Sequence, residues 1–435
     1  MLEIIRNAWR IKDLRAKILF TLFILVVYRF GSQVPVPFVN TQIFTDYLSS
    51  MEGAGNTLLG MFSMMSGGAF DRSTIFALSI QPYINASIIM NLLTVSIPAL
   101  ERLQKEGGEE GRKKIAAITR YATVGLALVM GYGYYTMLAY AQLGEYQSAL
   151  VSAAQGSLLH AVIIILSFVA GSAFIMWLGE QITEFGIGNG ISIILFASIV
   201  SRGPAMVTEA WALLQNPQLW WLVPIILVLA VALVVFVVFI TNAERRIPVQ
   251  YSKRVVGRKI YGGQSTFLPL KVNMSGVMPI IFAQAIASFP MTIIQFFFRD
   301  AAESAGRFIG HTSPIYAVLY FILIIGFSYF YQSIQFNPVE IANNLKQNGG
   351  FVPGFRAGKP TSDFITKVLG KITLFGAIFL GIIAILPIII SSLNPALGGL
   401  ALGGTSLLIV VGVALETVRA IEAQMIMRHH KGFLE

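Results

Sequence analysis

Between Leu222 and Ile240 the chain reads LVPIILVLAVALVVFVVFI, without one charged or amide side chain. Inside hydrocarbon every backbone N–H and C=O must be paired within the protein, which leaves only helices and closed barrels. A barrel strand alternates apolar and polar residues over about 10 positions, and this run does not alternate. It is therefore a helix, and it is close to the roughly 20 residues that a bilayer crossing takes. With the two tryptophans before it the stretch is Trp220–Ile240, and nine further apolar stretches accompany it: Ile18–Val34, Thr74–Ile97, Ala122–Ala141, Leu158–Leu178, Ile187–Val200, Val277–Phe298, Ile315–Tyr331, Ile372–Ile390 and Thr405–Ala420. Composition agrees: the chain is 55% hydrophobic and 12% charged, where soluble domains average about 25% charged. The expectation is an all-α membrane protein with ten transmembrane helices.

Orientation follows from the basic residues. Placing the N-terminus inside puts all of the 31 lysines and arginines on the cytoplasmic side except Arg29, Arg72, Arg202, Arg299 and Arg307. Basic residues collect inside, so both termini are expected in the cytoplasm, and the net charge of +10 needs no nucleic acid to explain it. Residues 1–17 place Ile4, Ile5, Ala8, Trp9 and Ile11 on a helical face opposite Arg6, Arg10 and Lys12. They read as a surface helix before a retained first span.

Five spans followed by five more give two halves of opposite orientation, 18–201 and 220–420, joined by a hinge at 202–219 and followed by a tail at 421–435. Inverted repeats place their working site where the halves meet, often at Gly- or Pro-interrupted spans. Pro82 lies in the second span of the first half, and Pro279 and Pro290 in the second span of the other. The second span also carries Gln81, Asn85, Ser87 and Asn91. Polar side chains at membrane depth face a bundle interior or a wet cavity. Just before it, NTLLGMFSMMSGGAF is apolar but too short to cross, which suggests a re-entrant element lodged in a pore.

Two cytoplasmic loops, 242–275 and 334–370, exceed the about 12–15 residues beyond which a loop is usually functional or disordered. The first alternates on both sides of Val256-Gly257 and reads as a β-hairpin with Gly257, Arg258 and Lys259 near its tip. The second ends a helix in a Gly/Pro turn cluster that presents Arg356. Ordered basic protrusions suit docking to an anionic partner.

Other chemistry finds no support. The cluster Gly186-Ile187-Gly188-Asn189-Gly190 opens a span with no strand before it, so it is not a phosphate loop. His160, His311, His429 and His430 have no ligand partners at metal spacing. No catalytic arrangement, metal or cofactor is expected. Ionisable groups lie near span ends, which disfavours a proton-coupled carrier; a secondary transporter with inverted five-helix repeats is the alternative.

TIFALSIQPYINASIIMNLL (Thr74–Leu93) and WLGEQITEFGIGNGISIIL (Trp177–Leu195) resemble signature segments of the SecY family, the central subunit of the bacterial Sec protein-translocation channel. So do SGGAF (Ser66–Phe70), QSTFLPLKVNMSGVMP (Gln264–Pro279), the run Asn337–Gly358 and GGTSLLIVVG (Gly403–Gly412). Ser79 departs from the glycine usual there, Asn91 from glutamine and Leu195 from isoleucine. The resemblance implies a pore ring at Ile80, Ile84, Leu195, Ile281, Ile286 and Ile409. It implies a plug over 57–70, carried by Thr57, Leu58, Leu59, Gly60, Met61, Phe62, Ser63, Met64, Met65, Ser66, Gly67 and Gly68. It also implies a lateral gate between the second, third, seventh and eighth spans, with Asn85, Asn91, Gln284 and Ser288 bonding across it. Arg258, Lys259 and Arg356 would dock the SecA motor ATPase or the ribosome. The implied setting is the bacterial inner membrane, with small SecE- and SecG-type subunits, signal-peptide-bearing preproteins and nascent membrane proteins as partners.

Overall fold

The structure, a computed structural model, describes residues 2–50, 58–140, 149–151, 156–215, 217, 220–251, 254–256, 259–261, 265–273, 276–297, 305–306, 308–310, 313–393 and 403–429. Before residue 220 lie α1 (Leu2–Arg10), α2 (Lys12–Gly31), α3 (Thr41–Ser50), α4 (Leu58–Met65), α5 (Gln81–Ser96), α6 (Pro98–Lys105), α7 (Gly108–Ala139), α8 (Leu158–Phe185), α9 (Gly190–Ser201) and α10 (Gly203–Leu214), the last within the expected hinge. After it lie α11 (Leu222–Asn242), α12 (Met278–Phe297), α13 (Pro314–Gln335), α14 (Pro338–Gln347), α15 (Lys359–Leu393) and α16 (Gly403–His429).

Each apolar stretch contains a helix among its described residues, but length and apolarity do not qualify every one as a full crossing. Among the described residues six helical runs are long and apolar enough: Gly108–Ala139, Leu158–Phe185, Gly190–Leu214, Leu222–Asn242, Pro314–Gln347 and Lys359–Ile390. A seventh results if α5 and the helix after it count as one span, bent by 103°. That bend sits at Ile97, which is extended (φ −106, ψ 112), as expected of a residue whose α conformation is disfavoured by the following Pro98. Met278–Ile294 is apolar and shorter.

The second apolar stretch starts as helix at Gln81, seven residues after Thr74, where the sequence placed it. Residues 66–80 are mostly turns, with Ser73 and Ser79 at φ 47 and 51. Left-handed residues end a right-handed helix, and Pro82 is suited to the first turn of a new one.

Within the first half α5 packs on α7, α7 on α8 and α8 on α9; in the second, α13 lies between α12 and α15, and α16 packs on α11 and α15. The halves meet where α9 touches α16 and where α12 touches α5 and α7. α1 buries Ala8 in a small cluster with Leu14, Ile187 and Ile421.

The two long loops share one sheet. β1 (Glu244–Tyr251) pairs antiparallel with β4 (Ser265–Lys271), Ile247 opposite Leu268, and β5 (Gly350–Phe351) adds to the free edge of β1. Ile247, Val249, Leu270, Val352, Ile365 and Leu369 form its own small core. Between β1 and β4, β2 (Arg254–Val256) pairs with β3 (Lys259–Tyr261), Val256 opposite Lys259.

Candidate functional site

The six proposed ring positions come from four separate chain segments: α5 with its N-cap, α9, α12 and α16. Ile80, Ile84, Leu195, Ile281 and Ile409 are all buried in one apolar cluster, and Ile286 packs against it. Two of these positions explain themselves locally: Ile80 caps α5 at its N-terminus, and Ile84 follows one turn later on the same face. The cluster extends through Ile24, Ile193, Ile280 and Leu408, so burial brings the six together without singling them out. Met65 at the end of α4 belongs to the same cluster.

The re-entrant segment carries α4 and the turn after it. Leu59, Phe62, Ser63, Met64, Met65 and Ser66 are buried, Gly60, Gly67 and Gly68 half-buried. Thr57 lies outside the described residues, as do the side chains of Leu58 and Met61. α4 lies against α9 and α12. Gly67 has φ +66, and a Cβ there would come within 2.6 Å of Ser201 Oγ and 2.9 Å of the Ser198 carbonyl oxygen; glycine alone permits both the conformation and the close approach. Phe62 and Phe70 pack together, and the Tyr134 hydroxyl donates to the Phe70 carbonyl at 2.7 Å.

Polar bonds surround this segment. The Ser63 hydroxyl donates to Asp71 Oδ2 and accepts from Arg202 Nη1 at 2.7 Å. Arg29 Nη1 lies 3.3 Å from the Gly67 carbonyl oxygen and 3.2 Å from Ser201 Oγ. Ser79 Oγ donates to the Met65 carbonyl at 3.2 Å. Burial raises the Asp71 carboxyl above the usual carboxylate range, against the pull of the Ser63 hydroxyl and the Arg202 and Arg72 guanidiniums. The sequence left Arg29 and Arg202 as exceptions to the charge bias; their rarity was the only signal that could have found them.

Of the proposed gate residues, Asn85, Gln284 and Ser288 are buried and Asn91 is half-buried. Asn85 and Ser288 line one cavity of about 50 Å³ between α5, α7 and α12, together with Gln81, Met130, Phe289 and Phe62. Asn91 does not line it. Gln81, 4% exposed, has no hydrogen-bond partner for its Oε1.

Of the proposed docking residues, Arg356 is exposed on the turn between β5 and α15. Its carbonyl accepts from the Thr361 hydroxyl at 2.7 Å, and Phe355 stacks on Phe364 with ring centres 4.1 Å apart. Arg258 and the side chain of Lys259 lie outside the described residues, although Lys259 itself begins β3. Among the described residues no group of acidic, histidine or cysteine side chains could hold a metal ion.

The SecY family profile matches residues 74–418. The protein translocase subunit SecY of Streptomyces coelicolor is 44% identical, with all of both chains covered. That of Aquifex aeolicus is 39% identical, again across all of both. Among solved structures, a SecY protein whose plug domain is described as stabilising the closed state of the translocation channel and maintaining a membrane seal aligns with a TM-score of 0.62. It is 19% identical, with 94% of this chain and 92% of that one covered. The idle yeast Ssh1 complex bound to the yeast 80S ribosome aligns with a TM-score of 0.60 at 15% identity, covering 95% of this chain and 90% of that one. At such identities the structural likeness is one of fold.

Proposed function

The chain belongs to the SecY family of protein-translocation channels, and from that premise we propose that it is a passive conduit for unfolded polypeptide. In this reading ten helices in two inverted halves cross the bacterial inner membrane with both termini in the cytoplasm. Secretory chains pass through the centre, and hydrophobic segments leave sideways into lipid. The observation that carries the reading is the meeting of Ile80, Ile84, Leu195, Ile281 and Ile409, from both halves, in one apolar cluster with Met65 of the re-entrant segment. A short aliphatic collar holds back ions by excluding water. Being held by no directional bonds, it deforms around a passing chain. Residues 57–70 serve as the plug that closes the idle channel.

The seam between α5 and α7 on one side and α12 and α13 on the other is the proposed lateral gate. Interhelical bonds of the kind Asn85, Asn91, Gln284 and Ser288 offer are worth about 0.6–2 kcal/mol each in membranes. That is weak enough for a signal peptide's apolar core of about 7–15 residues to compete with them. The energy for transport comes from partners. The shared sheet of the two loops is the proposed post for a SecA-type motor or a ribosome, through Arg258, Lys259 and Arg356, and small SecE- and SecG-type subunits complete the complex. A secondary transporter is not favoured, because the family is one of translocation channels and a carrier needs polar ligands where the collar stands.

The test uses the absence of native cysteine. Single cysteines at Ile80, Ile84, Leu195, Ile281, Ile286 and Ile409 are expected to crosslink to a stalled secretory chain, whereas cysteine at lipid-facing Val231 is not. Failure of all six to react with a chain that has engaged the complex rules out the collar.

A further inference from the structure

The outer end of α9, the last turn of α2 and the turn after α4 converge on the re-entrant segment with charged groups that the collar does not use. Basic residues are scarce on the extracytoplasmic side for reasons of insertion. Yet two of the five arginines assigned there, Arg29 and Arg202, both reach α4 and its turn.

We propose that Arg202 and Asp71, joined through the hydroxyl of Ser63, form a latch that positions the plug in its seat, with Arg29 on the Gly67 carbonyl as a second attachment. The proposal rests on the reading of 57–70 as the plug. A serine hydroxyl has one proton to give and lone pairs to receive. Here Asp71 takes the proton, and Arg202 donates from 2.7 Å away. Ser63 is 2% exposed, so losing either bond leaves a buried polar atom unpaired or forces water in.

The rest of α4 is Leu, Gly, Phe and Met. Such a helix slides and rotates against an apolar collar at little cost, because burial is non-directional. Hydrogen bonds weaken steeply as their angles fall toward about 120°, so the pair at Ser63 fixes depth and rotation together. Gly67 completes the seat, since its missing Cβ lets the turn lie against Ser198 and Ser201. Ser201 Oγ in turn receives the other bond from the same Arg29 nitrogen.

The channel complex, reconstituted from the full chain and its subunits into chloride-loaded vesicles, reads the seal directly as ion efflux per assembled complex. Ser63→Ala and Arg202→Gln are expected to leak on the order of tenfold faster than the parent, and the double variant no faster than the worse single one. Ser63→Thr, which keeps the hydroxyl, is expected to stay tight; a role in folding alone would not separate it from alanine. A chain lacking 58–68 supplies the reference for an unplugged pore. Tight Ser63→Ala and Arg202→Gln channels beside a leaking deletion overturn the latch and leave the plug standing. A tight deletion overturns the plug, and the latch with it.

Discussion

The proposed plug helix, α4, has two unlike neighbourhoods. At its collar end Met65 enters a cluster of isoleucines and leucines in which nothing is directional. On its other side Ser63 is placed between Asp71 and Arg202, and Gly67 lies under Arg29. Apolar packing contributes roughly in proportion to area and survives small displacements, which suits a ring that must stretch. A buried hydrogen bond contributes little when made and costs about 1–3 kcal/mol when broken on one side, which suits an element that must return to one place. On the proposed reading the first neighbourhood supplies tightness and the second supplies position.

The sharpest way to break that contrast is to put a directional group where the argument allows none. Ile281 is 3% exposed in the collar cluster. Ile281→Asn places an amide there that is unpaired unless water enters, a cost of about 1–3 kcal/mol against the dry state. A bias of that size corresponds to about 5–150-fold, so idle-channel ion efflux is expected to rise by that order. Ile281→Leu, which keeps volume and apolarity, costs less than about 1.5 kcal/mol and is expected to remain tight. Equal efflux from the two variants would mean that the collar is not the ion barrier.

A smaller effect is expected at the proposed gate seam. Gln81 Oε1 is buried and unpaired beside a cavity of about 50 Å³, room enough for a water, which needs on the order of 10–15 Å³. Gln81→Leu removes the amide and fills apolar space. It is expected to raise the thermal midpoint of the assembled complex, with a gain of up to about 1–3 kcal/mol. A lowered midpoint would show that the amide is held by water or by another group and that the seam is wetter than the collar.

What could be read in the sequence divides along similar lines. Apolar runs were legible because hydrocarbon leaves the backbone few choices, and the pairing of Arg254–Val256 with Lys259–Tyr261 because the sequence alternates on both sides of Val256-Gly257. The start of α5 was not, since Thr74–Ile80 is as apolar as the helix after it, and only the positive φ at Ser73 and Ser79 separates them. The union of the two loops was hidden because β5 is just Gly350–Phe351. Asn85 and Ser288 line one cavity, and Asn91 lies away from it. Ser63 and Arg202 are 139 positions apart, and nothing in the sequence pairs the one with the other.

The smallest expected effect tests whether the latch feels the medium outside. Asp71 faces Ser63, Arg202 and Arg72, with the Tyr134 hydroxyl nearby, and burial outweighs their pull and lifts its carboxyl above the ordinary value. If the plug leaves and water reaches Asp71, that value falls back toward about 3.9. The closed form then holds its proton more tightly than the open one, so closing takes up protons. Acid on the outer face therefore favours the seated plug, and the advantage is lost as pH rises through the raised value of the closed state. Modification of a cysteine introduced at Met64 by an outside reagent is expected to slow as external pH falls toward the carboxylate range, after correction for the thiol's own titration. In Asp71→Asn that dependence should vanish. An acid-accelerated reaction at Met64 would reverse the sign and mean that the carboxylate's bond to Ser63, not its burial, decides how firmly the plug is held.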